Sequence, residues 1–97
     1  MDVIKNTIVD AIHSRTVLKL KYEGSHRTVE PHAVGIYASG DDVLWCYQTH
    51  GAHLTHEKWH LVKLSSIKDL EVTESRFEVR PDYNRDDIPI TMAYAEL

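Results

Sequence analysis

Three regularly spaced histidines are of a residue type and spacing that could bind a metal ion. His50, His53 and His56 form the run HGAHLTH, in which every third residue is an imidazole. Imidazole binds Zn²⁺ and other borderline metals, but a stable site needs three or four convergent ligands and groups that orient them. The run is polar and has no helical or strand period, so its spacing does not place the three rings on one face. We therefore favour a solvated loop over a metal site, and we predict no metal or other cofactor.

A basic group around Arg27 could bind an anion. The guanidinium presents a planar fork of donors to phosphate or carboxylate and keeps its charge at physiological pH. Lys19 and Lys21 alternate with apolar residues on the preceding segment, and they would lie beside Arg27 if the two segments pair as a hairpin. The alternatives are a solvated arginine that pairs with Glu23 or Glu30, and outward lysines that only discourage edge pairing.

Two further histidines and three aromatic residues could belong to a binding site. His32 and His60 can change charge near neutral pH, so either could be a pH-sensitive member of an anion pocket. Single histidines on strands are more often surface or half-buried residues. Trp45, Tyr47 and Trp59 could stack on nucleic acid bases, as aromatic platforms do. In a small domain with few large apolar residues, we expect Trp45 and Trp59 to belong to the core instead.

No catalytic motif accompanies these residues. The sequence has no glycine-rich phosphate loop, no nucleophile turn with triad partners, and no paired carboxylates in an apolar setting. The pairs Asp41-Asp42 and Asp86-Asp87 fall in a predicted turn and in the tail, and we interpret them as solvated charge. Cys46 is the only cysteine, and it lies in a strand-like run, so we interpret it as a buried structural residue. We predict that the chain is not an enzyme.

Length and charge limit the class of protein. The 97 residues suffice for one domain with a modest core, and 42% hydrophobic and 27% charged residues are typical of a globular protein. No run approaches the ~20 apolar residues of a membrane helix, and the first residues do not resemble a secretion signal, so we expect a cytoplasmic protein. The net charge is −4, but residues 1–68 carry 8 Lys and Arg against 7 Asp and Glu, whereas residues 69–97 carry 3 against 8. The acidity therefore belongs to the tail, and a basic concavity can form on the body.

The elements that would position these side chains follow from the spacing of apolar residues. One apolar stripe over residues 2–14 predicts an amphipathic N-terminal helix. The period then changes to two over residues 17–22, which predicts a half-buried strand. A turn at residues 23–25 leads to a second extended segment over residues 27–38. Pro31 has no N–H for a strand ladder, so we expect a bend or bulge there.

Further strand signals follow along the chain. A turn at residues 39–42 precedes an apolar run at residues 43–47, which predicts a buried central strand. After a polar loop at residues 49–57, residues 58–64 are extended, and a short helical turn leads into another strand at residues 67–72. One helix and about five short strands predict a mainly β fold with a small barrel, because barrel closure removes exposed sheet edges.

The C-terminal region has a different composition from the rest. We divide the chain into a barrel domain at residues 1–79 and an acidic C-terminal arm at residues 80–97. Apolar residues spaced by two from Ile88 onward predict that the arm packs on the body or adds an edge strand. Such an arm could also add a strand to a neighbouring barrel.

A set of short motifs extends over the stretch from Ile8 to Phe77. They are Ala11-Ile12, Val17-Leu18-Lys19-Leu20-Lys21-Tyr22, Gly24, Arg27-Thr28-Val29-Glu30-Pro31, Leu44-Trp45-Cys46-Tyr47, Ile67, Leu70 and Val72. Through these motifs the stretch resembles the WYL-domain family, which comprises bacterial regulatory domains with an SH3-like, Sm-like barrel. The chain departs from the family where Asp42-Val43-Leu44 replaces the Trp-Tyr-Leu tripeptide. It departs again where His60 and Ser66 replace two arginines of a later motif, although either Lys58 or Lys63 would supply charge nearby.

The resemblance implies a non-enzymatic regulatory domain that recognises a small anionic ligand, such as a nucleotide or a short single-stranded nucleic acid, and takes part in transcription regulation. The candidate ligand-binding residues are Arg27, His60, Lys19, Lys21, His32 and Lys63. The competing hypothesis is a protein-interaction or homo-oligomeric assembly module that has lost the ligand site, since both later arginines are absent and the arm is acidic. In either case we expect a homodimer, the commonest symmetric state, and no membrane contact.

Overall fold

A single α-helix begins the fold. The computed structural model describes residues 2–51 and 57–97. Helix α1 spans Val3–Ser14, and Asp2 caps it by accepting a hydrogen bond from the Lys5 N–H at 3.0 Å. Arg15 ends the helix in the left-handed conformation, with a φ of 53°. No helix in the described ranges is long and apolar enough to cross a membrane.

In the part of the chain that the structure describes, six antiparallel strands form one sheet. They are β1 Thr16–Tyr22, β2 Ser25–Ile36, β3 Asp42–Gly51, β4 Trp59–Lys63, β5 Lys68–Arg76 and β6 Met92–Glu96. The hydrogen-bonded order is β4-β3-β2-β1-β5, and β6 pairs with β2. The predicted mainly β fold with a preceding helix is confirmed, and the sixth strand lies in the C-terminal arm. Within the described residues β4 and β5 do not pair with each other, so the barrel-like sheet is open between these two edge strands.

Strand β2 is the centre of the sheet. β3 pairs with one edge of β2 from Arg27 to Ile36. The other edge is shared, because β1 pairs with the first half of β2 and β6 pairs with the second half. The register between β2 and β3 shifts between Pro31 and Ala33, which confirms the predicted bulge at the proline.

The main core lies between α1 and the inner face of the sheet. Alternate residues in the middle of β1 and β3 point inward and are fully buried, namely Leu18, Leu20, Leu44, Cys46 and Gln48. The core residues are Ile8, Ala11, Ile12, Leu18, Leu20, Val29, Val34, Leu44, Cys46, Val62, Leu64, Ile67 and Ala95. Burial raises the pKa of the Cys46 thiol to about 12, so the thiol stays protonated and unreactive. The structural role predicted for this cysteine is confirmed.

A second apolar layer covers the outer face of the same sheet. Trp45 and Tyr47 alternate with the core residues of β3, so they point away from the core, and Trp59 lies opposite Tyr47 on β4. Phe77 and Tyr83, on the C-terminal side of β5, pack on this face. The expectation that Trp45 and Trp59 belong to the main core is therefore wrong. Both are half-buried in a separate aromatic layer, because the arm covers a face that a one-core barrel would leave to solvent.

Candidate ligand-binding surfaces

A groove crosses the part of the sheet formed by β5, β1, β2 and β3. It encloses about 570 Å³. Strand register places four side chains in a row across it, namely Glu71, Lys19, Thr28 and His50. The remaining lining residues are Leu20, His26, Arg27, Gly51 and Asp69. We call this feature the β1–β2 groove; it combines several basic groups with an acidic wall on β5.

Gly51 allows β3 to approach β2 closely at one end of the groove. Its φ is 114°, and a Cβ at this position would lie 2.4 Å from the His26 carbonyl oxygen and 2.9 Å from the Arg27 Cα. A side chain would therefore clash with backbone that cannot move without disrupting the strand pair. The close approach brings His50, the preceding residue, beside β2.

Arg27 is buried and does not have the solvated position that its charge alone would favour. Only 5% of its surface is exposed, and it lies opposite Leu20 on the inner side of the β1–β2 pair. The guanidinium carbon is 5.2 Å from the centre of the Tyr22 ring, and Nη2 is 3.8 Å from Glu23 Oε1. Nε has no hydrogen-bond partner among the described residues. A buried cation with one long ion pair has unsatisfied donors, which favours a nearby anion.

Two lysines face each other beside the groove. Lys21 lies opposite His26 on β2 and opposite Lys68 on β5. Lys21 and Lys68 also line a neighbouring cavity of about 470 Å³. Like charges directly opposite each other destabilise a sheet. An anion between them would relieve this repulsion, and Lys19 lies on the same strand face as Lys21.

His32 does not reach the groove. It is fully buried in the aromatic layer. Three rings surround it at centroid distances of 4.8, 5.1 and 5.1 Å, namely Trp59, Phe77 and Tyr83. The Arg80 N–H donates to Nε2 at 3.2 Å, so the proton is on Nδ1, which donates to the Glu30 carbonyl at 2.9 Å. Burial lowers the pKa of His32, and the neutral ring holds the arm to β2.

His60 and Lys63 lie on β4, away from the groove. His60 is half-buried opposite Cys46, whose thiol donates to the His60 carbonyl at 3.7 Å. Lys63 forms an ion pair with Asp41 at 3.6 Å, with both side chains about half exposed. Among the candidate residues, Lys19 and Arg27 line the β1–β2 groove, with Arg27 on the inner side of the strand pair, and Lys21 lies beside the groove; His32, His60 and Lys63 lie elsewhere.

Sequence reasoning does not predict that the other groove residues lie together. His26, Thr28 and His50 lie beside Lys19 or Lys21 only because of cross-strand register. Register depends on the turn between two strands and on their bulges, which alternation does not determine. The only available signal is that these residues are polar at alternate positions of strands.

Arg80 is a second important side chain that the sequence does not reveal. Its Nε and Nη2 donate to Glu30 at 2.7 and 3.0 Å, and its guanidinium lies 4.0 Å from the centre of the Tyr47 ring. Glu30, considered from the sequence as a partner of Arg27, is therefore paired with Arg80. The sequence signal is a carboxylate inside a buried strand, which requires a cation but does not specify which one.

The histidine run is only partly described. The predicted loop at residues 49–57 is wrong at its start, because β3 continues to Gly51 through its pairing with β2, and His50 lines the β1–β2 groove. His53 and His56 lie outside the described residues, so the loop interpretation stays a prediction for them. Among residues 2–51 and 57–97, no group of three His, Cys, Asp or Glu side chains is arranged to hold a metal ion.

Comparison with known proteins adds nothing to this geometry. No family model, no curated protein and no solved structure matches the chain. The resemblance to the WYL-domain family therefore rests on the sequence motifs, and the surfaces are interpreted from their own charges and distances.

Proposed function

We propose that the protein is a non-enzymatic binding domain of the WYL-like type that takes a small anionic ligand in the β1–β2 groove. The observation that supports it most is the buried Arg27 guanidinium, whose Nε has no hydrogen-bond partner among the described residues. Arg27 lines the groove from the inner side of the β1–β2 pair, Lys19, His26 and His50 also line it, and Lys21 lies on the adjoining row. The predicted cytoplasmic location and homodimeric state are parts of this proposal.

The groove favours a ligand with few charges. Asp69 and Glu71 form one wall, and carboxylates repel a second phosphate placed near them. The overall charge of −4 opposes association with long nucleic acids, whose affinity depends on many simultaneous phosphate contacts. A nucleotide or a short single strand, with one phosphate near Lys19, fits this distribution.

Fluorescence anisotropy with labelled nucleotides and short single strands tests the proposal. Lys19→Gln and Lys21→Gln should each weaken binding by about three- to tenfold, the size of one charge-assisted contact. Lys63→Gln is the matched control, because this lysine is exposed and lies on β4, away from both the groove and Lys21. Equal affinities for the wild type, Lys19→Gln and Lys21→Gln would refute the proposal, as would an absence of binding to every labelled ligand.

A second candidate function is homo-oligomeric assembly, which exposed apolar residues favour. Tyr37, Met92 and Tyr94 are exposed, and they lie on or beside the β2–β6 pair. Analytical ultracentrifugation of the wild type and Met92→Lys tests this surface, with Val72→Lys on β5 as an exposed control. A dimer that Met92→Lys dissociates and Val72→Lys leaves intact would support assembly; a monomeric wild type would exclude it.

A further inference from the structure

A small pocket lies where the C-terminal arm crosses the aromatic layer. It encloses about 200 Å³. Its walls include the rings of Trp45, Trp59 and Tyr83 and the carboxylates of Asp82 and Asp87. Pockets that hold whole drug-sized molecules measure ~300–1,000 Å³, so this one fits a single head group. We call it the aromatic pocket.

The rings of the aromatic pocket are held in place by contacts within the chain. Trp45 and Trp59 are nearly parallel, with an interplanar angle of 10° and centroids 5.5 Å apart. Tyr83 is tilted by 29° from Trp59 at 6.0 Å. The Trp59 indole N–H donates to Asp82 Oδ2 at 2.9 Å, which fixes the ring before a ligand arrives. Such preorganisation lowers the entropic cost of binding.

The charge of the aromatic pocket favours a cation. The charged residues that line it, Asp82 and Asp87, are both acidic. The faces of aromatic rings carry negative electrostatic potential, so both the rings and the carboxylates attract cations. Asp82 uses one oxygen to hold Trp59, and Asp87 forms no ion pair with any described residue. The Asp87 carboxylate is therefore available to a cation.

The same aromatic layer already binds a cation from within the chain. The Arg80 guanidinium lies 4.0 Å over the Tyr47 ring, and Tyr47 packs edge-on against Trp59 at 5.3 Å. Arg80 is held by Glu30 and does not line the aromatic pocket. The layer thus has one cation–π contact, made by Arg80, and, beside it, a pocket that is also lined by aromatic rings and carboxylates.

The geometry points to a binding site for a methylated ammonium group in the aromatic pocket. Quaternary and trimethylated ammonium groups need no hydrogen-bond acceptors and are attracted to ring faces, whereas a primary ammonium is strongly hydrated and loses more on entering. The group can belong to a small molecule such as choline or to a methylated lysine side chain. The site is independent of the proposed function, because it shares no lining residue with the β1–β2 groove.

Intrinsic fluorescence reports directly on this pocket, because both tryptophans of the chain line it. The full chain is titrated with tetramethylammonium chloride, with sodium chloride at matched ionic strength, and with 3,3-dimethylbutan-1-ol, an uncharged analogue of choline. A saturable change with tetramethylammonium alone supports the site. A change no larger than that caused by sodium chloride, or an equal response to the alcohol, overturns it.

Two neighbouring aspartates provide a matched pair of variants. Asp87→Asn should weaken tetramethylammonium binding by about two- to fivefold, the size of an exposed cation contact. Asp86→Asn removes the adjacent charge, which does not line the aromatic pocket, and should leave the affinity unchanged. Equal affinities in the two variants would overturn the assignment. Both carboxylates are exposed, so neither change should disturb folding.

The source of the head group is distinguished by a second titration. Peptides that carry trimethyllysine or unmodified lysine are compared with free choline, and the Trp59 indole N–H is followed by NMR. Tighter binding of the trimethyllysine peptide than of choline identifies a methylated protein as the partner, and the reverse order identifies a small molecule. Indole shifts that are the same for both lysine peptides would show that methylation is not recognised and would overturn the proposal.

Discussion

Lowering the pH below about 6.5 should destabilise the fold through His32. In the folded state Nε2 accepts from the Arg80 N–H, and burial holds the pKa below its ordinary value. The charge of Arg80 reinforces this shift and those of Glu30 and Asp82 oppose it, but burial dominates. The unfolded ring titrates near its ordinary pKa of ~6.5. Between the two pKa values the unfolded state binds more protons, so the free energy of unfolding falls as the pH falls.

The loss in the free energy of unfolding follows from the uptake of one proton by His32. Each pH unit below the unfolded pKa should remove ~1.4 kcal/mol until the folded pKa is reached, after which the loss stays constant. Above the unfolded pKa the ring is neutral in both states, and the penalty is absent. The measurement is urea unfolding followed by tryptophan fluorescence, at several pH values between about 5 and 8.

His32→Phe is the control, because it keeps a ring in the aromatic layer but cannot take up a proton. The chain has 7 histidines and 15 acidic residues, so only the difference between the two pH profiles isolates His32. The wild type should lose stability more steeply below pH ~6.5 than the variant. Parallel profiles would refute the reasoning. If the variant does not fold, NMR of the wild type decides, since an imidazole that titrates with its ordinary pKa would also refute it.

Five other substitutions test packing and charge. Leu18→Ala should cost about 3–5 kcal/mol in urea unfolding, because the side chain is fully buried; a loss below ~1 kcal/mol would contradict the core described. Gly51→Ala should cost clearly more than Gly24→Ala, because both have positive φ but only Gly51 has backbone within 3 Å of a new Cβ; equal Tm changes would show that the close approach is absent. Arg80→Met should destabilise the fold by ~2–4 kcal/mol, since it leaves the buried Glu30 carboxylate unpaired. Lys63→Met should change stability by less than ~1 kcal/mol, because its ion pair is exposed. Equal effects would show that the buried ion pair contributes no more than the exposed one.

Much of the fold follows from local patterning. The apolar stripe of residues 2–14 forms α1, and the alternation of residues 17–22 forms β1. These predictions succeed because one face of each element is buried against the same core, and burial imposes the period of the element on the sequence. The bulge at Pro31 is also predictable, because proline lacks a ladder donor whatever the surroundings.

The position of Arg27 shows where local patterning stops. Its side chain lies on the inner face because Leu20, an inward residue of β1, is its partner in the β1–β2 register. A shift of one residue at the turn would place it outside. The Arg80 contact with Glu30 is still harder to predict from the sequence, because 50 residues separate the two. Nothing in the local sequence of either residue specifies a partner at that distance.

The way β2 is completed has a consequence for how the chain folds. On the edge of β2 that β1 occupies first, β6 pairs with the second half of the strand. The hydroxyl of Thr91, just before β6, donates a hydrogen bond to the Ile36 carbonyl, 55 residues earlier in the chain. During synthesis β2 can pair with β1 and β3 long before Met92–Glu96 leaves the ribosome. Until then four residues of edge backbone stay open to other chains. Closing so long a loop is slow relative to forming local hairpins. We therefore expect β6 to dock late in folding. The nascent chain is most prone to misassociation in the interval before β6 docks.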